Sequence, residues 1–78
     1  MLKYKLFEEN DDIISYRYFP NGREDFGTIT MNKKTAELIN VEVAKNDKFK
    51  QFYFHMIREI ERFRKADDYL KDGYVAWY

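Results

Sequence analysis

The stretch from Asp47 to Ala66 sets the strongest limit on what this chain can fold into. At about 100° per residue, Phe49, Phe52, Tyr53, Met56, Ile60 and Phe63 fall on one side of a helix, in a stripe roughly 100° wide. Burying a side chain of this size is worth about 1.5–3 kcal/mol, so the stripe demands a second layer to lie against. The residues before it read as a sheet that supplies that layer. Asn46 or Asp47 offers a side-chain acceptor for the first helical amides. Asp67 and Asp68 sit at the end of the helix dipole that disfavours anions, and mark where the helix stops.

Four strands are expected ahead of the helix. Residues 2–8 place Leu2, Tyr4 and Leu6 against Lys3 and Lys5, the alternation of a half-buried strand. Residues 12–19 carry Ile14, Tyr16 and Tyr18 on one side and Ile13, Ser15, Arg17 and Phe19 on the other. Residues 25–31 form the third strand, and 37–44, with Ile39, Val41 and Val43, the fourth. Asn21-Gly22 suits a two-residue type I′ hairpin, Asn10 a short left-handed turn, and residues 32–36 a polar turn without glycine. After Asp72-Gly73, residues 74–78 have strand propensity and are expected to form an edge strand or a flap.

These turns fix registers. One face should carry the rows Leu6–Ile14–Ile29–Ile39 and Tyr4–Tyr16–Gly27–Val41, and receive the helix. An even-length third turn would bring Leu38 inward instead. The far face should carry Phe7–Ile13–Thr30–Leu38, Lys5–Ser15–Thr28–Asn40 and Lys3–Arg17–Phe26–Glu42, with Arg17 able to lie over Phe26. An apolar row on an uncovered face calls for a cover: the C-terminal tail, a second copy of the chain or another protein.

Composition narrows the function classes. At 78 residues the chain makes one domain. Fourteen basic residues balance fourteen acidic ones, which argues against a strong nonspecific grip on nucleic acid or anionic lipid. The absence of cysteine excludes disulfides and thiolate chemistry, and is compatible with a cytoplasmic location. No signal-peptide core or apolar run of membrane-spanning length is visible, so neither export by that route nor a membrane role is expected. The outlying value is an aromatic content of 19%, enough to build a core and to leave rings at a contact surface.

Few residues suggest chemistry. His55 is the sole histidine, and Glu59 at i+4 is its nearest candidate co-ligand, so a boundary position is expected rather than a metal or general-base role. The three glycines are isolated, so no phosphate-binding loop is present. No catalytic residue, metal site or cofactor is expected, and the chain reads as a non-enzyme. A basic flank of Lys48, His55, Arg58, Arg62 and Lys65 lies roughly opposite the helical stripe, with Phe54 beside Arg58.

The run Tyr16-Arg17-Tyr18-Phe19-Pro20-Asn21-Gly22, continued by Phe26-Gly27-Thr28-Ile29 and Lys33-Lys34-Thr35, resembles short bacterial proteins of unassigned function found in Gram-positive genomes and their mobile elements. That resemblance implies a fold and no catalytic residue.

The resulting expectation is an α+β domain: a four-stranded antiparallel β-meander, one long α-helix packed on one face, and a C-terminal strand or flap. Its expected role is a small protein-interaction or accessory module, with self-association as one form. The contact residues would be Phe7, Ile13, Arg17, Phe26 and Leu38 on the sheet, with Phe54 and Arg58 on the helix. The alternative is a nucleic-acid-binding module using the basic and aromatic residues of the sheet or the basic helix flank.

Overall fold

A computed structural model describes residues 1–21 and 24–75. The order is β1 (Leu2–Glu9), β2 (Ile13–Pro20), β3 (Gly27–Asn32), β4 (Leu38–Glu42), α1 (Gln51–Ala66) and β5 (Asp72–Val75). All strands belong to one antiparallel sheet ordered β4-β3-β2-β1-β5, and α1 lies across the β1–β2 part of one face. The α+β meander with a C-terminal strand is therefore the fold. The tail forms a strand through Val75, pairing Lys3 with Tyr74 and Lys5 with Asp72. It widens the sheet and covers neither face; the expectation for residues 76–78 lies outside the described residues.

The faces follow the alternation, while the rows are displaced. Tyr4 pairs with Tyr18 and Leu6 with Tyr16, and across the next ladder Tyr16 pairs with Ile29 and Ile14 with Met31. Each register differs from expectation by two residues. A shift of two preserves the face of every side chain, because strand side chains alternate with period two. Two local causes account for the displacement. The Asn10 carboxamide accepts from Asp12 N (2.8 Å) and Ile13 N (2.9 Å), so the first turn begins at Asn10 and pairs Glu9 with Ile14, a slip of three that the β1 bulge at Phe7 reduces to two. Asn21 takes a positive φ of 54°, yet its N–H donates to Met1 O (2.8 Å), which keeps it on the β1 side. With Tyr18 opposite Gly27, β2 and β3 are joined by a loop longer than a two-residue hairpin; Gly22 lies outside the described residues.

The third turn changes a face. Asn32 Oδ1 accepts from Lys34 N (2.8 Å) and Thr35 N (3.1 Å), and Ala36 occupies the left-handed region (φ 64°) where glycine was missed. Thr30 then pairs with Asn40 but Met31 with Leu38, leaving Ile39 as the extra residue of a bulge. Ile39 is 54% exposed, and Leu38 turns to the helix side. The placement of Ile39 inside and Leu38 outside is thus reversed.

Leu2, Tyr4, Ile14, Tyr16, Tyr18, Ile29 and Met31 meet Met56, Ile60 and Phe63 in the core, with Phe52 and Tyr53 partly buried beside them. Tyr4, Tyr16 and Phe63 form a ring cluster with centroids 5.6–5.8 Å apart. Phe49 is not part of the stripe. Lys50 adopts a left-handed conformation, the helix starts at Gln51, and Phe49 is 89% exposed.

The helix start is built by Asp47, a buried carboxylate. It accepts from Phe52 N (3.2 Å) and Tyr53 N (2.8 Å), and the Tyr18 hydroxyl lies 3.4 Å from it while accepting from Ala44 N (3.0 Å). One charged acceptor thereby joins β2, the β4–α1 connection and the helix N-terminus. At the other end, Asp67 takes a left-handed conformation, and Asp68 N reaches back to Phe63 O.

Candidate functional site

The sheet face turned away from α1 has no covering element among the described residues. Its alternation places Lys3, Lys5 and Phe7 from β1, Ile13, Ser15, Arg17 and Phe19 from β2, Thr28 and Thr30 from β3, and Asp72 and Tyr74 from β5 on this side. The β1 bulge between Leu6 and Glu8 leaves Phe7 without a partner in the ladder. That extra residue aims the Phe7 ring at Arg17, whose guanidinium carbon sits 4.0 Å from the ring centroid. On its other side Arg17 lies 4.8 Å from the centroid of Phe26, and Phe26 in turn meets Phe19 at 5.6 Å. Lys3 reaches over Phe19 at 6.0 Å.

The result is a continuous ridge of rings and cations running Phe7–Arg17–Phe26–Phe19–Lys3. Phe7 is 53%, Phe26 45% and Tyr74 63% exposed, so the ridge presents apolar surface to solvent. Arg17 is half-buried, its Nε has no hydrogen-bond partner among the described residues, and it forms no ion pair there. The ring faces stabilise its charge in place of a carboxylate. Charge is arranged by strand. Lys3, Lys5 and Arg17 occupy the central β1 and β2, while Glu42 and Asp72 sit on the outer strands β4 and β5.

Of the residues singled out by sequence, Phe7, Arg17 and Phe26 come together here, and Ile13 is half-buried on the same face beside Asn32. Leu38 does not join them. Phe54 lies on the helix, 56% exposed and against Tyr53 at 5.1 Å. Arg58 lines a groove between α1 and β4 together with Leu38. Sequence reasoning assigned Phe19 to this face but gave it no role, and passed over Tyr74. Phe19 follows the same odd-numbered alternation as Lys3 and Arg17, which was the available signal, whereas Tyr74 is brought here by its pairing with Lys3.

The basic flank of the helix is also redistributed. Arg62 pairs with Glu59, three residues before it on the helix. Glu61 pairs with Arg64 (2.6 Å) rather than with Lys65. Arg58, Arg62 and Lys65 line the groove instead of pointing opposite the core. Among the described residues no group of three His, Asp or Glu side chains is placed to hold a metal ion, and no helix is long and apolar enough to cross a membrane.

The perturbed phenols lie on the covered face. Burial raises the pKa of Tyr4 and Tyr16, and pushes Tyr18 up to about 12, aided by the Asp47 carboxylate. Tyr16 donates to Leu70 O (2.6 Å), so its hydroxyl is a structural strut between β2 and the segment after α1. No family model, curated protein or solved structure matches this chain.

Proposed function

We propose that this chain is a small binding module that receives a protein surface of mixed apolar and acidic character on the open face of its sheet. The observation that supports this reading is Arg17, seated between Phe7 and Phe26 with no carboxylate partner among the described residues. Rigid aromatic area around an accessible cation is the usual composition of an energetic centre in a protein interface. A partner carboxylate reaching Arg17, Lys3 or Lys5 would gain a charge-assisted contact while its apolar neighbours cover the rings.

The same residues favour a protein over a single-stranded nucleic acid. Base stacking needs open ring faces, and Phe7 and Phe26 each give one face to Arg17. A phosphate backbone would also meet Glu42 and Asp72 at the borders of this face. Self-association centred on this face would bring the Lys3, Lys5 and Arg17 groups of two copies together, a repulsive arrangement. With no cysteine in the chain, a reducing compartment suits it, and we take the cytosol as its place of action.

The test is a direct titration of proteins captured from the native cell, using the full chain and a Phe7→Ser/Arg17→Gln/Phe26→Ser variant. An acidic protein that binds the purified chain and loses tenfold or more in affinity with the variant supports the reading. Equal affinity for both forms overturns it. So would tight binding of a single-stranded oligonucleotide with a steep salt dependence, or a dimer abolished by the variant.

A further inference from the structure

The helix side of the sheet is only partly covered. Five strands at about 4.8 Å spacing span roughly 19 Å, whereas one helix is about 10 Å across. Since α1 lies over β1 and β2, the β4 end of that face stays open: of its helix-side residues Leu38 is exposed and Val41 half-buried. What remains there is a groove of about 480 Å³ with a floor of Met31, Ala36, Leu38 and Ile57. Its rim is the α1 edge carrying Arg58, Glu61, Arg62 and Lys65.

The charge of that rim is not self-compensated. Glu61 is held by Arg64 and Glu59 takes Arg62, while Arg58 and Lys65 form no ion pair among the described residues. These two cations are seven residues apart, so they lie about 10 Å apart along α1 and within roughly 20° of one another around its axis. A compact amphiphile with one anionic head would satisfy only one of them. A helix has the matching ruler. Acidic residues at i and i+7 fall at the same separation, and apolar residues at i+3 and i+4 project between them.

We propose that the α1–β4 groove is a docking site for an acidic amphipathic helix of a partner protein, laid beside α1 over β3 and β4. Helices pack at axis separations of about 8–10 Å, so a second helix at this distance from α1 lies over the strands that α1 leaves bare. Its apolar pair covers Leu38 and Ala36, and its two carboxylates meet Arg58 and Lys65. The site is on the opposite side of the sheet from the Phe7–Arg17–Phe26 ridge and stands independently of it.

The probe is a synthetic alanine-based helical peptide with Glu at i and i+7 and Leu at i+3 and i+4, titrated into the full chain and followed by NMR. Perturbations should concentrate at Met31, Ala36, Leu38 and Ile57. An Arg58→Glu/Lys65→Glu variant should lose at least tenfold in affinity, and a peptide with Lys in place of both Glu residues should restore binding to that variant. Leu38→Lys, an exposed-strand change that leaves the helix rim intact, should also abolish binding and covers the case in which the double variant is unfolded. Perturbations centred elsewhere, or affinity indifferent to Arg58 and Lys65, would overturn the proposal. So would groove binding by decanoate with none by the peptide.

Discussion

The two faces of the sheet hold similar numbers of large rings and treat them in opposite ways. On the covered face the rings are tyrosines: Tyr4, Tyr16 and Tyr18 are nearly or fully buried, and the hydroxyls of Tyr16 and Tyr18 end on Leu70 O, Ala44 N and Asp47. On the open face Phe7, Phe19 and Phe26 are held by Arg17 and Lys3 instead of by a second layer. A buried tyrosine needs a partner for its hydroxyl, and the connections flanking α1 provide one. A phenylalanine has no such requirement, so it tolerates a face where its company is a neighbouring ring and the stem and head of a cation. Aromatic content alone therefore does not separate core from contact surface; the polar handle and its partner do.

This contrast can be broken from the covered side first. Raising the pH should unfold the chain, because Tyr16 and Tyr18 both have pKa values raised by burial. A phenol whose pKa is higher folded than unfolded contributes stability that is complete below its unfolded value near pH 10. That stability is then lost as pH climbs through the folded value, about 12 for Tyr18. Circular dichroism against pH should show the fold lost over that range. A native spectrum with all phenols ionised by pH 10 would mean the rings are not buried as described.

Phe63→Ala should cost about 3–5 kcal/mol in a denaturant titration, because the ring closes the cluster with Tyr4 and Tyr16 and its removal leaves a cavity. Gly27→Ala should cost less, about 1–3 kcal/mol. A Cβ there would run into the Tyr18 ring and come within 2.6 Å of Glu42 O, so the β3–β4 ladder or the ring must move. On the open face, Arg17→Ala should change stability by about 1 kcal/mol or less, the scale of a partly exposed cation–ring contact. A loss as large as that of Phe63→Ala would show that the open face is part of the core.

Legibility in the sequence followed parity. The even-numbered positions Tyr4, Ile14, Tyr16 and Tyr18 and the odd-numbered Ile29 were assigned to the helix side, and all lie there. Arg17 over Phe26 was likewise readable, since both belong to the opposite parity of their strands. Row-by-row pairing was not readable. An Asx turn at Asn10, a loop between Asn21 and Gly27, and a bulge at Ile39 each add residues without a strong sequence mark. The first, offset by the bulge at Phe7, and the second leave the faces intact; the last exchanges Leu38 and Ile39. The expected row set Tyr16 beside Gly27, whereas the displaced register brings Tyr18. The helix ran shorter than its apolar stripe because Asp47 caps from outside it and Lys50 breaks the chain direction.

What the sequence determined by itself is periodicity: a stripe with a helical repeat, strands with a repeat of two, and so a two-layer α+β domain with one side of each strand apolar. Periodicity is local, and neighbouring residues enforce it. Only the tertiary structure decided where α1 sits across a sheet wider than itself, and hence that β4 is left bare beside Arg58 and Lys65. It also decided that the extra residue of β1 is Phe7, which turns a lone surface ring into one wall of the Arg17 seat. Those outcomes depend on how turns of unequal length accumulate along the chain. That sum is not written at any single position.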